Sequence, residues 1–408
     1  MEWKEVKIGD LGQIITGKTP KTAIRENWGG KIPFLSPSDD MSNKTSPVTA
    51  RTLTELGVAE VAKCLIPANS ICVSCIGSDL GKVVKTDREL VTNQQINTIV
   101  PHSNIDSDFV YYLMCIVGKE LNYISKTSTA VPIINKSTFS DWDIVIPREK
   151  EDQRHIASIL SSLDRKIELN NKINADLEEM AQAIFKNWFV DFEPFKDGKF
   201  VDSELGMIPE GWKVVTLDDL TSKFGTGLNP RKNFVLGHGN NYYVTIKNMG
   251  NNRIYLNDRC DKVDDEALAK INKRSKLQKG DLLFSGIGTI GRVAMIVDDP
   301  INWNTSESVF NMHPIDTVSS EFIYLLLLSD KFQQYVQQNA QGGVQQGIRM
   351  ASLKAFQFAI PDDLNLFDNL VKPIISKVKS NDKENDALSL LRDTLLPRLM
   401  SGELEVPE

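Results

Sequence analysis

Apolar residues recur at helical spacing in two segments of the chain, each of which follows an Ile-Pro pair. Most of them lie three or four positions from the next, from Ile156 to Trp188 and again from Phe367 to Leu399. This period is typical of amphipathic helices. Each segment spans about 40 residues, or about 60 Å at about 1.5 Å per residue. The pattern therefore predicts two long helices that pair as a coiled-coil spacer.

Shorter apolar runs elsewhere predict strands and short helices. Residues 70–74 and 281–285 are typical of buried strands that end in glycine-rich turns. The segments 109–117 and 322–329 predict short helices, and the alternation at 142–146 predicts a closing strand. The mixture indicates an α+β fold.

The chain also repeats itself. The run WKEVKIGDL at 3–11 matches WKVVTLDDL at 212–220, and SCIGSDLGKV at 74–83 matches SGIGTIGRV at 285–293. Self-similarity at this distance predicts two copies of one unit, each a globular domain followed by a helix. The boundaries predicted from these matches are domain 1 at 1–147, spacer helix 1 at 148–192, a linker at 193–208, domain 2 at 209–361 and spacer helix 2 at 362–402.

Composition narrows the class of protein. The hydrophobic share is 41% and the charged share 25%, as in ordinary globular proteins. No apolar run approaches the roughly 18–20 residues of a membrane span, and the first residues lack an apolar signal-peptide core. The five cysteines are few and scattered. We expect a cytoplasmic protein with reduced thiols and no membrane partner.

Net charge and its distribution leave DNA binding open. The net charge is −7, but the acidic excess lies on 151–206 and 362–408. The two globular domains are close to neutral, so each can present a basic face.

The motif search finds no catalytic signature and no metal site. Gly12-x4-Gly17-Lys18-Thr19 matches the phosphate-binding loop, yet 13–16 contain no glycine and Pro20 follows where a helix should begin. Cys72 and Cys75 have no second pair of ligands. We therefore expect no catalytic residue and no cofactor in this chain. A nucleotide-binding enzyme that uses Lys18 and a protein-binding scaffold remain as alternatives.

Polar side chains concentrate in the matched turns of the two copies. Asn, Gln, Arg, Ser and Thr read base edges, while Lys and Arg neutralise phosphates. The candidate DNA-binding residues are Lys18, Thr19, Lys21, Ser36, Ser38, Ser74, Lys82, Asn93, Gln94, Gln95, Asn229, Arg231, Lys232, Lys247, Asn248, Ser285, Arg292, Asn304, Thr305, Ser306, Gln341, Gln345, Gln346 and Arg349. Among them Gln345 and Arg349 lie in a glycine-rich run, and we expect one of them to contact a base.

The chain resembles the specificity subunit of type I restriction-modification systems along nearly its whole length. The resemblance rests on the repeat, the two helices and four strings: IPEGWKVVTLDDL (208–220), IPREKEDQRHIASILSSLDRKIELNNKIN (146–174), FKNWFVDFEPF (185–195) and LLPRLMSGEL (395–404).

In that family each domain recognises one half of a bipartite, asymmetric DNA target. The paired helices set the spacing between the halves and dock two modification subunits. The resemblance further implies that the partners carry the chemistry: S-adenosylmethionine and adenine methylation on the modification subunits, and ATP and Mg on restriction subunits.

The helices themselves suggest a register and a docking surface. An antiparallel pair that sets Asn170 against Asn385 also sets Asn174 against Asn381, so that buried amides meet each other. The same register sets Leu163 against Arg392. Further apolar positions lie off this seam and are expected to be covered by partner subunits. They are Ile159, Ile173, Met180, Phe185, Phe189, Leu370, Ile375, Leu390, Leu391 and Leu396.

Overall fold

The computed structural model of the chain describes residues 1–41, 44–45, 47–127, 133–343 and 346–406. They divide into two compact units, unit 1 with 1–170 and 383–408, and unit 2 with 171–382. Unit 1 is thus closed by the C-terminal end of the chain, while unit 2 is continuous in sequence.

Unit 1 is built on two four-stranded sheets, in the orders β2-β9-β6-β7 and β4-β3-β8-β5, with β1 and β10 paired separately. Strands β3 and β8 run parallel, and the other paired strands are antiparallel. The strands are β1 (Trp3–Lys7), β2 (Gly12–Thr16), β3 (Trp28–Leu35), β4 (Arg51–Leu53), β5 (Leu65–Ile66), β6 (Ile71–Ser74), β7 (Val83–Lys85), β8 (Leu90–Thr92), β9 (Ile96–Pro101) and β10 (Asp143–Pro147). The helices are α1 (Glu55–Glu60), α2 (Ser107–Thr127), α3 (Lys136–Ser140) and the first part of α4 (Lys150–Phe189).

Unit 2 repeats this topology in the sheets β14-β22-β19-β20 and β18-β15-β21, where β15 and β21 are parallel. Its strands are β11 (Phe200–Ser203), β12 (Gly206–Pro209), β13 (Lys213–Thr216), β14 (Thr221–Thr226), β15 (Asn241–Val244), β16 (Met249–Gly250), β17 (Arg253–Ile254), β18 (Asp261–Val263), β19 (Leu282–Ser285), β20 (Val293–Met295), β21 (Trp303–Thr305), β22 (Val309–Pro314) and β23 (Gln357–Ile360). Its helices are the second part of α4, α5 (Asp265–Ser275), α6 (Ser320–Leu328), α7 (Asp330–Asn339), α8 (Met350–Lys354) and the first part of α9 (Asn365–Met400), whose last part belongs to unit 1. Among the described residues, no helix combines the length and apolar character needed to cross a bilayer.

The repeat and the two long helices predicted from sequence are present. Three predicted segments differ in detail. The segment 193–208 is more than a linker, because a short 3-10 turn and the β11–β12 hairpin lie in it. The helix expected at 109–117 extends over Ser107–Thr127, whereas its counterpart ends at Leu328, because Ser329 caps a new helix by accepting from the Phe332 amide.

The end of each long helix packs on the first strand of a domain. In unit 1, Leu395, Leu404 and Trp3 join the core that contains Leu399. In unit 2, Phe189 packs against Trp212, the residue that corresponds to Trp3, with a distance of 5.6 Å between the ring centroids. This shared packing explains why the apolar pattern continues to the ends of both helical segments.

Candidate nucleic-acid interface and helix contacts

Lys82 and Arg292, two cations predicted to contact DNA, also make hydrogen bonds that hold loops in place. The backbone amides of Lys82 and Arg292 donate to Ser74 Oγ and Ser285 Oγ at 2.9 and 2.7 Å, so the corresponding turns are built alike. Lys82 Nζ then donates to Pro37 O at 2.9 Å and pairs with Asp79 at 2.7 Å.

Arg292 is engaged in the same way, since Nη1 donates to Ile246 O at 2.9 Å and to Met249 O at 2.5 Å. Lys82 has a 41% exposed side chain and a third N–H donor, and the contacts of Arg292 use Nη1 alone, so their contact with DNA stays a prediction.

Several predicted base-reading side chains are buried. Asn304 donates to Asn272 Oδ1 and Ser275 O at 2.8 and 2.9 Å, while its Oδ1 accepts from the Thr305 amide. Asn248 Oδ1 accepts from the Thr245 amide at 2.9 Å. A polar residue in a turn often satisfies the backbone, as Asn248 does here. Burial argues against base contact in this conformation for Ser74, Asn93, Asn248, Ser285, Asn304, Thr305 and Ser306.

The remaining candidates stay at the surface, except Gln345, which lies outside the described residues. The exposed ones are Lys18, Lys21, Ser38, Gln94, Arg231, Lys232, Lys247, Gln341, Gln346 and Arg349. Those that are half-buried are Thr19, Ser36, Gln95 and Asn229. Their contact with DNA stays a prediction.

The structure brings two of these turns together in each unit. Gly17 and Gly227 occupy equivalent places, because a Cβ on either would lie 2.2 Å or less from a backbone oxygen at Thr92 or Thr305. Two residues later, Thr19 Oγ1 donates to Gln94 Oε1 at 2.7 Å in unit 1. The corresponding Asn229 Nδ2 donates to Glu307 in unit 2. One surface position thus presents an amide in unit 1 and a carboxylate in unit 2.

Sequence reasoning missed a basic run in α5 and the residues after it. Residues 267–280 contain five cations and no acid. The search followed matched turns, and this run has no counterpart in the first copy. Charge counted over short windows was the signal that could have found it.

The phosphate-binding-loop match has the wrong geometry for nucleotide binding. Residues 12–16 form β2, which pairs along its length with β9 from Gly12 opposite Pro101 to Thr16 opposite Asn97. After Lys18 the chain continues as a loop to a 3-10 turn at Arg25–Asn27. A phosphate-binding loop needs free backbone amides and a helix that begins at the lysine.

Cys72 of β6 and Cys75, which follows that strand, lie in different hydrophobic clusters. Burial raises the pKa of the Cys72 thiol to about 12 and that of Cys75 to about 11. Both thiols therefore stay protonated at neutral pH and are poor metal ligands.

The amide contacts predicted for the long helices are present within each unit. In unit 1, Asn170 Nδ2 donates to Asn385 Oδ1 at 2.9 Å and to Glu384 Oε2 at 2.8 Å. In unit 2, Asn381 Nδ2 donates to Asn174 Oδ1 at 2.8 Å. All four asparagines are buried.

A further ion pair accounts for the one mismatched layer of the predicted seam. Arg392 Nη1 donates to Asp164 Oδ1, next in sequence to Leu163, at 2.8 Å. Although burial opposes charge on the guanidinium, its pKa is raised because of the hydrogen bonds and charges of Asp164 and Asp393. Asp164 also accepts from the Tyr112 hydroxyl, which belongs to domain 1.

Lysine and aspartate side chains extend this network into domain 1. Lys44 Nζ donates to Ser161 Oγ of α4 at 2.8 Å and pairs with Asp108 at 2.8 Å, while Lys85 pairs with Asp108 at 3.1 Å. Burial opposes ionisation of Asp108, but the hydrogen bonds and charges of Lys44 and Lys85 outweigh it and lower its pKa.

The predicted partner-docking surface is partly wrong. Phe185 and Phe189 pack against Phe322 and Phe367, and Ile375 lies in the same core. Leu396 is buried in the core of unit 1. These four residues contact the domains of this chain, while Ile159 and Ile173 are half-buried. The apolar residues that remain exposed on the helices are Leu169, Met180, Leu366, Leu370, Leu390 and Leu391.

Comparison with known proteins agrees with this architecture. The family described as "Type I restriction modification DNA specificity domain" matches residues 1–179 and 209–366, which are the two copies of the repeat. The chain belongs to this family. It is accordingly the specificity subunit of a type I restriction-modification system, with two target recognition domains in tandem, and the nucleotide-binding alternative is not favoured.

Relatives of this specificity subunit cover its whole length. The chain is 30% identical to the type I restriction enzyme MjaIX specificity subunit of Methanocaldococcus jannaschii, over 100% of this chain and 94% of that protein. It is 26% identical to the HindI specificity subunit of Haemophilus influenzae, over 99% and 100%. The crystal structure of the S subunit from M. genitalium has the same fold, with a TM-score of 0.56 at 17% identity over 100% of this chain and 97% of that one.

Proposed function

We propose that each recognition domain reads one half of a bipartite, asymmetric double-stranded DNA target. The observation that carries this proposal is the matched surface pair Thr19–Gln94 and Asn229–Glu307. Gln94 accepts from Thr19 through Oε1, so its Nε2 remains a donor for a base edge. Glu307 offers only acceptor oxygens at neutral pH. A donor at one position and an acceptor at the equivalent one select different bases.

Single substitutions at this pair test the proposal. We expect Gln94→Ala to relax the DNA sequence preference in one half of the target only, and Glu307→Ala to relax it in the other half only. The readout is the map of methylated adenines in DNA exposed to the chain with its modification partner. Relaxation of both halves by one substitution, or no change from either, would contradict the proposal.

The spacing between the halves is set, in this proposal, by α4 and α9 paired antiparallel along their lengths. In each unit a higher residue number on α4 meets a lower one on α9. Asp164 and Asn170 meet Arg392 and Asn385 in unit 1. In unit 2, the ring centroids of Trp188 and Phe367 are 5.7 Å apart. Buried asparagines oppose a heptad shift, because either amide would then face an apolar residue.

The exposed leucines on the helices support docking of two modification subunits. Leu366 and Leu370 lie four positions apart on α9, Leu390 and Leu391 are adjacent, and all four are exposed. Neighbouring apolar side chains on a surface mark protein interfaces. In this proposal the chain itself is not catalytic. S-adenosylmethionine and methylation of adenine belong to the modification subunits, and ATP and Mg to restriction subunits.

A further inference from the structure

The C-terminal part of α5 and the loop at 228–236 form one small substructure of unit 2. Leu228, Phe234 and Leu236 of the loop pack on the cluster formed by Tyr243 and the apolar face of α5. The Tyr243 hydroxyl donates to Leu228 O at 2.8 Å. The loop is therefore held against the helix by its own core.

Two basic side chains of α5 also fasten this loop. Lys270 Nζ donates to Asn233 O at 2.8 Å, and Arg274 Nη2 donates to Thr226 Oγ1 at 3.3 Å. These bonds bring Arg231 and Lys232 of the loop next to the helix. Lys270, Lys273 and Arg274 are three and four positions apart, so they share one side of α5.

The result is an uncompensated basic surface. We call Arg231, Lys232, Lys270, Lys273, Arg274 and Lys276 the α5 basic surface, and all six are exposed. Within the part of the chain that the structure describes, none of them has a carboxylate oxygen within 4.0 Å. In a chain of net charge −7, such a concentration of unpaired cations favours a polyanionic partner.

The helix of unit 1 that corresponds to α5 is acidic, since α1 contains Glu55 and Glu60 and no cation. Helix α1 ends at Glu60, whose carboxylate accepts from the Lys21 amide at 3.2 Å and from Asn27 Nδ2 at 2.7 Å. The side chain that holds the loop is thus an acid in unit 1 and the base Lys270 in unit 2. The helical part of the basic surface is therefore confined to the second domain, while the loop cations Lys18, Lys21 and Arg25 are exposed in unit 1 as well.

We propose that the α5 basic surface binds the phosphate backbone of double-stranded DNA without regard to sequence. This proposal rests on the DNA recognition proposed above and adds a division of labour. The second domain supplies more of the salt-dependent affinity than the first. Bases are read by other residues, so the surface fixes the position of the domain on the duplex.

The test uses a double variant that should leave the fold intact. Among the described contacts, the side chains of Lys273 and Lys276 make no hydrogen bond, so Lys273→Ala/Lys276→Ala removes charge alone. Lys199→Ala/Lys331→Ala is the matched control, because it removes the same charge from exposed positions elsewhere in unit 2. Each protein is assembled with its modification partners. Its affinity is then measured from low to high salt, for a labelled duplex with the mapped target and for one without it.

The slope of log affinity against log salt is negative. We expect its magnitude to decrease by about 0.9 for each phosphate that the variant no longer neutralises. At about 0.1 M salt this is up to about eightfold in affinity per phosphate, equal for the two duplexes. The control should keep the slope of the unaltered protein.

Three results would overturn the inference. The first is an unchanged slope. The second is a changed ratio of target to non-target affinity, which would indicate base reading. The third is loss of assembly with the partners, which would indicate a protein interface. If the unaltered complex shows no salt-dependent DNA binding, the proposed function itself fails, and that outcome is visible before any variant is compared.

Discussion

At the scale of single residues, the buried asparagines are placed so that each amide satisfies another polar group. Asn381 is 1% exposed and donates a hydrogen bond to Asn174 Oδ1. Asn174 Nδ2 in turn donates to Asp382 Oδ1 at 3.1 Å. A buried amide that loses its partner keeps the full desolvation cost, whereas removing both partners removes that cost. The pair therefore has little net stability to offer, yet strongly opposes mispairing.

Asn381→Leu tests this directly. We expect it to lower the free energy of unfolding by about 1–3 kcal/mol, because Asn174 Oδ1 is left without a donor. Asn174→Leu/Asn381→Leu should recover part of the loss, since the hydrogen bond from Asn174 to Asp382 is removed as well. Asn187→Leu, at an exposed position of α4, is the control. Urea denaturation provides the measurement, and equal effects of Asn381→Leu and Asn187→Leu would contradict the assigned role.

The stability that Asp108 contributes should depend on pH. Its pKa is lower in the folded chain than in the unfolded one, so it contributes stability that is complete above the ordinary carboxyl pKa and is lost as pH falls through the lowered value. The difference in unfolding free energy between the unaltered protein and Asp108→Asn should therefore shrink below about pH 4. Asp176→Asn, exposed on α4, should show a smaller change. A difference that stays constant down to about pH 3 would refute the ion-pair account.

A site residue could be predicted from the sequence only where the sequence pattern also identifies the residue that it contacts. The asparagine pairs were predictable, because only one antiparallel register lets both pairs meet. The turn residues were not. Asn304 and Gln94 look alike in sequence, but one is buried among backbone groups and the other is exposed. A hydrogen bond from Arg292 to distant carbonyls leaves no trace in local pattern.

At the scale of elements, the periodicity predicted helix length well and helix surroundings badly. The helix bounds Lys150–Phe189 and Asn365–Met400 lie within a few residues of those expected. Phe185 and Phe189 were assigned to a partner because they lie off the seam. They are instead covered by the chain's own domain, as the ring contact of Phe189 with Phe322 at 5.0 Å shows. An apolar stripe indicates that something covers it but not what.

The exposed leucines give a test at this scale. Leu390→Ser/Leu391→Ser should weaken assembly with the modification subunits and leave the unfolding midpoint nearly unchanged, since both side chains are exposed in the free chain. Ile301→Ser, at a residue 83% exposed and away from the helices in sequence, is the control. Analytical ultracentrifugation of each variant with its partners reports assembly. Normal assembly of the double variant would show that another surface is used.

At the scale of the whole molecule, the proposed reading of two different half-targets rests on one fold that is present twice with different surface side chains. The sheets β2-β9-β6-β7 and β14-β22-β19-β20 supply the same frame, while the exposed turns on that frame carry different side chains. The sequence repeat predicts that the two domains share one strand order. It does not predict the charge difference between α1 and α5, because the matched residues do not extend to these helices.

The most direct test of the account is the methylation map of DNA treated with the assembled complex, before and after residues 1–147 are replaced by those of a relative. We predict a target of two different halves, of which the exchange alters one and leaves the other half and the spacing unchanged. A symmetric target, or an exchange that changes both halves, would contradict it.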